Sequence, residues 1–342
     1  MKKLYFLLVA AMFYSAAGHG QTFEPLTLVQ TIELPDVPVG PFTDHLCVDL
    51  KGHRLFTTMQ AQKAVAVIDL DSEKVLHDIP VGNPHSCAYR SDLDQLYVAD
   101  GDPTQPGVKV FNAHDYQLIK TIGLEKRSDS TVYDPKSNLL YVVNGGAGGK
   151  LEYSLISIIN TTTSERVGDV KVASEVLEDM DIGPSGSRLY ITEEDANKVV
   201  VVDSQKRIVL ETWPITKAST PVATAVDEAH HRLFVACRTT DLKGAIVVLD
   251  TQTGKELKAL PIGGWLDYMV FDGQSGRIYA VCGVGHVYVY QQLDSDNYVL
   301  LGKAETALMA KTGLLVTELH RLFVAVPMLA WQPARVLVFQ VN

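Results

Sequence analysis

Seven residues stand at one fixed distance from a recurring phrase, and six of them are ionisable. Asp44, His85, Asp129, Glu178, Val222, Asp267 and Lys311 each lie eleven residues before an aliphatic residue, at 55, 96, 140, 189, 233, 278 and 322. Charged residues make up only 20% of the chain, so chance would rarely fill the register this way. The next positions add His45, Ser86, Ser130, Asp179, Tyr268 and Thr312. If one architecture gathers the register, four carboxylates, an imidazole and an ammonium share a single rim. Converging carboxylates suit a hard cation such as Ca²⁺, and a His among them also suits Zn²⁺. Asp129, Glu178, Asp267 and His85 are the candidate metal ligands. His45 and His85 occupy matching positions in adjacent repeats and are the candidate acid–base pair. Arg238, which follows Cys237, suits a forked clamp on a carboxylate or phosphate, or a salt bridge to the acids. The same register reads also as a solvated rim whose acids accept from loop N–H groups. Trp265, two residues before Asp267, is a candidate wall.

The phrase that sets the register dictates the architecture. It runs Arg54-Leu55-Phe56, Gln95-Leu96-Tyr97-Val98, Leu139-Leu140-Tyr141-Val142 and Arg188-Leu189-Tyr190-Ile191, then Arg232-Leu233-Phe234-Val235, Arg277-Ile278-Tyr279-Ala280 and Arg321-Leu322-Phe323-Val324. Seven copies spaced 41 to 49 residues apart are the signature of a propeller of four-stranded blades. Each copy carries a short first run such as His45–Val48, the anchor run, a β-branched run such as Val199–Asp203, and an outer run such as Lys74–Ile79. Turn residues separate them, as at Lys51-Gly52 and Ser185-Gly186. The seventh copy stops after its third run, Val336–Phe339, while residues 26–34 supply an unattached outer run. Pairing the two closes the ring and covers the strand edges. The expectation is an all-β, seven-bladed propeller of antiparallel blades, with the first strand of each blade lining a central channel and the register residues at its mouth.

The repeat resembles that of the YVTN-repeat propellers, the family that includes YncE-like periplasmic proteins. Leu140-Tyr141-Val142-Val143-Asn144 is nearest the family phrase, and Leu189-Tyr190-Ile191-Thr192-Glu193 and Leu96-Tyr97-Val98-Ala99-Asp100 are looser copies. The Trp-Asp pair of WD repeats is absent. The resemblance implies a fold and leaves function open, because propellers host unrelated activities.

The first twenty residues have the three parts of a secretory signal: Lys2-Lys3, an apolar run from Leu4 to Tyr14, and small residues from Ser15 to Gly20. Residues 21–342 then form one propeller domain, in the periplasm or outside the cell. Loss of Lys2 and Lys3 moves the formal charge from −10 to −12, which disfavours nucleic acid. No later apolar run is long enough to span a bilayer. The four cysteines fall on the first runs of copies one and two (Cys47, Cys87) and after the anchors of copies five and six (Cys237, Cys282). Equivalent positions on neighbouring blades splay, so all four are expected as small buried hydrophobes, with a Cys237–Cys282 bridge as the first alternative and soft-metal binding as the second. Asn144–Lys150 is Gly-rich but opens no helix, so it reads as a hairpin connection and not a phosphate loop.

Together these features describe a monomeric binding or scaffold propeller. Asp44, His45, His85, Asp129, Glu178, Arg238, Asp267 and Lys311 hold a small polar ligand or a divalent cation (Ca²⁺ or Zn²⁺), or the protein meets a protein partner on its outer strands. The alternative is a metal-dependent hydrolase of lactonase type. There a cation on Asp129, Glu178 and Asp267 polarises a carbonyl and His45 or His85 acts as base.

Overall fold

The computed structural model describes residues 23–40, 43–239 and 242–342, and the expected signal segment lies outside the described residues. Seven four-stranded antiparallel sheets form a closed ring. Blade one is β2 (Thr43–Asp49), β3 (Arg54–Met59), β4 (Ala64–Asp69) and β5 (Lys74–Pro80), with β1 (Leu26–Glu33) reserved for the last blade. Blade two is β6 (Pro84–Arg90), β7 (Gln95–Asp100), β8 (Gly107–Asn112) and β9 (Leu118–Gly123). Blade three is β10 (Thr131–Asp134), β11 (Leu139–Gly145), β12 (Ser154–Asn160) and β13 (Glu165–Val172). Blade four is β14 (Leu177–Ile182), β15 (Arg188–Glu193), β16 (Lys198–Asp203) and β17 (Ile208–Pro214). Blade five is β18 (Pro221–Asp227), β19 (Arg232–Cys237), β20 (Lys243–Asp250) and β21 (Glu256–Gly263). Blade six is β22 (Leu266–Asp272), β23 (Arg277–Cys282), β24 (Val284–Gln292) and β25 (Tyr298–Leu308). Blade seven takes β26 (Thr312–Val316), β27 (Arg321–Val326), β28 (Arg335–Val341) and β1.

The recurring phrase has a packing reason. Successive residues of a strand point to opposite faces of its sheet, and in a propeller both faces meet a neighbouring blade. Leu55 therefore packs with Phe323 and Val338 of blade seven, whereas Phe56 packs with Leu96 and Val98 of blade two. The same division holds for Leu140 against Tyr141 and for Ile278 against Tyr279. Each aliphatic–aromatic pair supplies one side chain to each of two adjoining inter-blade cores, which explains why both are apolar. Outer strands such as β9 face solvent along most of their length and carry mixed residues.

Ring closure is as expected. β1 pairs antiparallel with β28 from Leu26↔Val341 to Glu33↔Arg335. The chain ends reinforce each other: the Asn342 backbone N–H donates to Pro25 O, and its side chain donates to Glu24 O and Thr27 Oγ1. The Gly-rich segment connects β11 to β12 through a 3-10 turn, Ala147–Gly149, and forms no phosphate loop.

The cysteines divide differently from expectation. Cys47 and Cys87 form a disulfide, with Cα atoms 5.8 Å apart. They lie on innermost strands β2 and β6, where adjacent blades converge on the axis and their backbones come within bridging distance. The splaying argument holds for Cys237 and Cys282, at the ends of second strands, which are free and fully buried.

Candidate functional site

The eight candidate residues line one cavity of about 260 Å³ at the mouth of the channel. Strand irregularity puts them there. Pairing of the first with the second strand is interrupted between Thr43 and Leu46, Pro84 and Ser86, Leu177 and Met180, Pro221 and Ala223, and Leu266 and Tyr268. The skipped residues are Asp44 with His45, His85, Glu178 with Asp179, Val222 and Asp267. A bulge leaves its extra residue out of the ladder and re-aims its side chain. The register found in sequence is thus a ring of β-bulges. Asp129 and Lys311 enter from loop positions just before β10 and β26.

Hydroxyls lock the bulges together. Thr58 Oγ1 donates within reach of both His45 O and His85 O, at 2.9 Å each, joining blades one and two. Ser86 Oγ donates to Asp129 O at 2.6 Å, joining blades two and three.

The rim is not a bare acidic ring. His85 Nδ1 lies 3.3 Å from Asp44 Oδ2 and 3.2 Å from Asp129 Oδ1. Arg127 Nη2 donates to Glu178 Oε1 at 2.6 Å, and its Nε stands 3.6 Å from Asp129 Oδ2. Asp267 is held between Arg238 and Lys311, and Arg238 also reaches Leu266 O at 3.0 Å and Glu194 Oε1 at 3.4 Å. His45 Nε2 lies 3.6 Å from Asp44 Oδ1. Of the four candidate metal ligands, the structure brings His85 and Asp129 together, joins Asp44 to them, and engages Glu178 and Asp267 with cations. Val222 contributes an apolar wall, and Trp265 does not line the cavity.

Burial and charge tune these groups in opposite directions. Burial alone would lower the His85 imidazolium, but the Asp129 charge and hydrogen bonds to Asp129 and Asp44 outweigh it and raise the pKa to about 10. Burial pushes the Asp129 carboxyl up, yet His85 and Arg127 hold it below the usual range. Burial, with Asp129 beside it, raises Glu178. Burial lowers the Lys311 ammonium.

Below the mouth the channel widens into a space of about 390 Å³, whose wall includes His45, Asp179, Asp181 and Tyr268. Asp179 and Asp181 accept backbone N–H groups of the next blade, from Thr224 at 3.4 Å and Val226 at 3.0 Å. Burial raises Asp179 to about 6, and burial together with Asp179 raises Asp181 to about 7.

Gln60, Arg127 and Glu194 went unmarked in the sequence. Gln60 Nε2 donates to Asp44 Oδ2 at 2.8 Å and also meets His85 Nδ1 at 2.8 Å. One signal would have found two of them: Gln60, Glu194 and Arg238 each stand five residues after an anchor, where the second strand ends at the mouth. Gly101 has the same position in blade two, and a Cβ there would come within 2.8 Å of His85 Nε2. The imidazole is seated over a residue without a side chain.

No protein-family model matches the chain, and no curated protein matches it. Solved structures with the same architecture include Kuenenia stuttgartiensis hydrazine synthase, 18% identical with a TM-score of 0.74 over 90% of this chain and 97% of that one. A chain of the mitotic checkpoint complex is 13% identical with a TM-score of 0.73 over 100% and 99%. U3-55K is 11% identical with a TM-score of 0.71 over 91% and 98%. At these identities the likeness is one of fold, and it places the chain among the seven-bladed propellers.

Proposed function

We propose that this chain is an exported binding propeller of the YVTN-repeat, YncE-like kind, which holds a small polar ligand or cation in its mouth cavity. One observation carries the reading. Eight residues singled out in the sequence line one concave space, where paired cations and carboxylates present both charges to a guest. Export is supported by the tripartite leader and by the Cys47–Cys87 bridge, since disulfides persist in oxidising compartments. The hydrolase reading has less support, because two of its three cation ligands, Glu178 and Asp267, face Arg127, Arg238 and Lys311.

The test is thermal denaturation of the secreted protein against amino acids, dicarboxylates, phosphate and divalent cations. A ligand that binds the folded form alone stabilises it by about 2.7 kcal/mol at a hundredfold excess over its Kd. We expect at least one such compound to raise the Tm and Arg238→Ala to diminish the shift for anionic ones. A panel without any shift overturns the mouth as a binding site. Retention of Met1 in a cytoplasmic fraction overturns export.

A further inference from the structure

We propose that Asp44, His85 and Asp129 form a mononuclear site for a divalent transition metal of the zinc type on one wall of the mouth cavity, an inference that rests on reading the mouth as a binding site. The three residues offer one ligand atom each, and all three atoms lie within 4.8 Å of one another. His85 Nδ1 is 3.3 Å from Asp44 Oδ2 and 3.2 Å from Asp129 Oδ1. A tetrahedral ion with bonds of about 2.0–2.2 Å separates its donors by roughly 3.3–3.6 Å, so both His85 spacings already suit a metal, and the two carboxylate oxygens, within 4.8 Å of each other, need only approach. One nitrogen with two carboxylates favours zinc over calcium, which takes six to eight oxygens.

The surroundings orient the donors. The Asn83 side-chain amide stands 2.9 Å from His85 Nε2, which leaves the opposite ring nitrogen, Nδ1, on the side of the carboxylates. Gln60 Nε2 stands 2.8 Å from both Asp44 Oδ2 and His85 Nδ1, so it holds these two donor atoms near each other and gives up its contact with Nδ1 when an ion binds there. A second, independent observation comes from Thr43. Its hydroxyl is buried, with the residue 3% exposed, and has no hydrogen-bond partner among the described residues although Thr43 lines the same cavity. A water on the fourth coordination position would give that hydroxyl a partner. Glu178 and Asp267 lie outside the ligand set because guanidinium and ammonium groups engage them closely, whereas Arg127 approaches Asp129 only at Oδ2, 3.6 Å away, and leaves Oδ1 to the ion. A metal and a proton compete for His85 Nδ1, so binding releases a proton.

The experiment is calorimetric titration of chelator-treated, full mature protein with Zn²⁺ and, separately, Ca²⁺, together with the visible spectrum of the Co²⁺ form. We expect one Zn²⁺ per chain, and Ca²⁺ at least tenfold weaker. His85→Gln and Asp44→Asn should each weaken Zn²⁺ by more than tenfold. Glu178→Gln and Asp267→Asn should change it less than about threefold, since neither touches the ion. Equal losses in Glu178→Gln or Asp267→Asn overturn the assignment. Should His85→Gln fail to fold, Asp129→Asn and the wild-type Co²⁺ spectrum decide. The intense absorption of four-coordinate Co²⁺ supports the site, and the pale spectrum of the six-coordinate ion overturns it. A protein that binds no metal but is stabilised by a small polar ligand overturns this site and leaves the mouth reading intact. One stabilised by neither overturns both.

Discussion

Removing the bridge between Cys47 and Cys87 tests how much of the ring's stability is set near its axis. The bond joins residues 40 positions apart on the innermost strands of blades one and two. In the chain-entropy account, closing a loop of that length removes about 13 cal/mol/K from the unfolded chain, or ~4 kcal/mol at 25 °C. A mature chain of roughly 320 residues unfolds with an entropy of about 0.7 kcal/mol/K near 60 °C, so the expected fall in Tm is ~6 °C. Cys47→Ala/Cys87→Ala is the variant of choice, because Cys87 lines the channel and each truncation removes only a sulfur from the inter-blade core. Urea denaturation of oxidised wild type, reduced wild type and the double variant should give a high midpoint for the first and lower, similar midpoints for the other two. Thiol labelling of denatured, unreduced protein should find Cys237 and Cys282 alone. Four labelled thiols, or coincident midpoints in oxidised and reduced protein, would refute the reasoning. The bond also lies three residues from Asp44 and two from His85, so its loss should loosen the wall that carries both.

Two further outcomes follow from the same geometry. Deleting residues 23–33 removes the strand that covers β28, so we expect aggregation or a large loss of stability, read by light scattering and thermal denaturation; an unchanged Tm would exclude closure by β1. Asp181→Asn should stabilise the protein at pH 8 and have no effect at pH 3.5. The folded pKa, about 7, lies above the ordinary 3.8, so ionisation costs the folded state stability that is intact below pH 3.8 and is lost as pH rises through 7. Discounted for the partial solvation of the channel, the gain is on the order of 1–2 kcal/mol, and equal pH profiles for wild type and variant would refute it.

Fold and site were legible in the sequence to different depths, and the reason is distance along the chain. The anchor phrase is local: one strand, two faces, two neighbouring blades, so Leu55 and Phe56 already specify both contacts. The eleven-residue register is local too, because the turn and two half-strands between Asp44 and Leu55 have nearly the same length in every copy. That register recovered a ring of bulges without any bulge being visible in residue types. Charge pairing is not local. Glu178 meets Arg127 across 51 residues, and Asp267 meets Lys311 across 44, each pair spanning two blades. The register therefore gave a mixed rim of four carboxylates, His85 and Lys311 without its pairings, whereas the blades set Glu178 and Asp267 against cations of a neighbouring blade.

The cysteine misreading has the same origin in radial position. A repeat fixes the angle between equivalent residues, but their separation grows with distance from the axis. Cys47 and Cys87 differ by one position in their offset from their anchors, and both sit on the innermost strands, where that angle translates into a Cα distance of 5.8 Å. Cys237 and Cys282 share one offset on second strands and remain apart. The same radial argument accounts for the cavity itself. Only residues at the start of the first strand, or at the end of the second, stand close enough to the axis for blades one, two and three to place Asp44, His85 and Asp129 within 4.8 Å of one another. The polar groups of the mouth are thus concentrated at two offsets of the repeat, eleven before the anchor and five after it, where Gln60, Glu194 and Arg238 complete what the first offset begins.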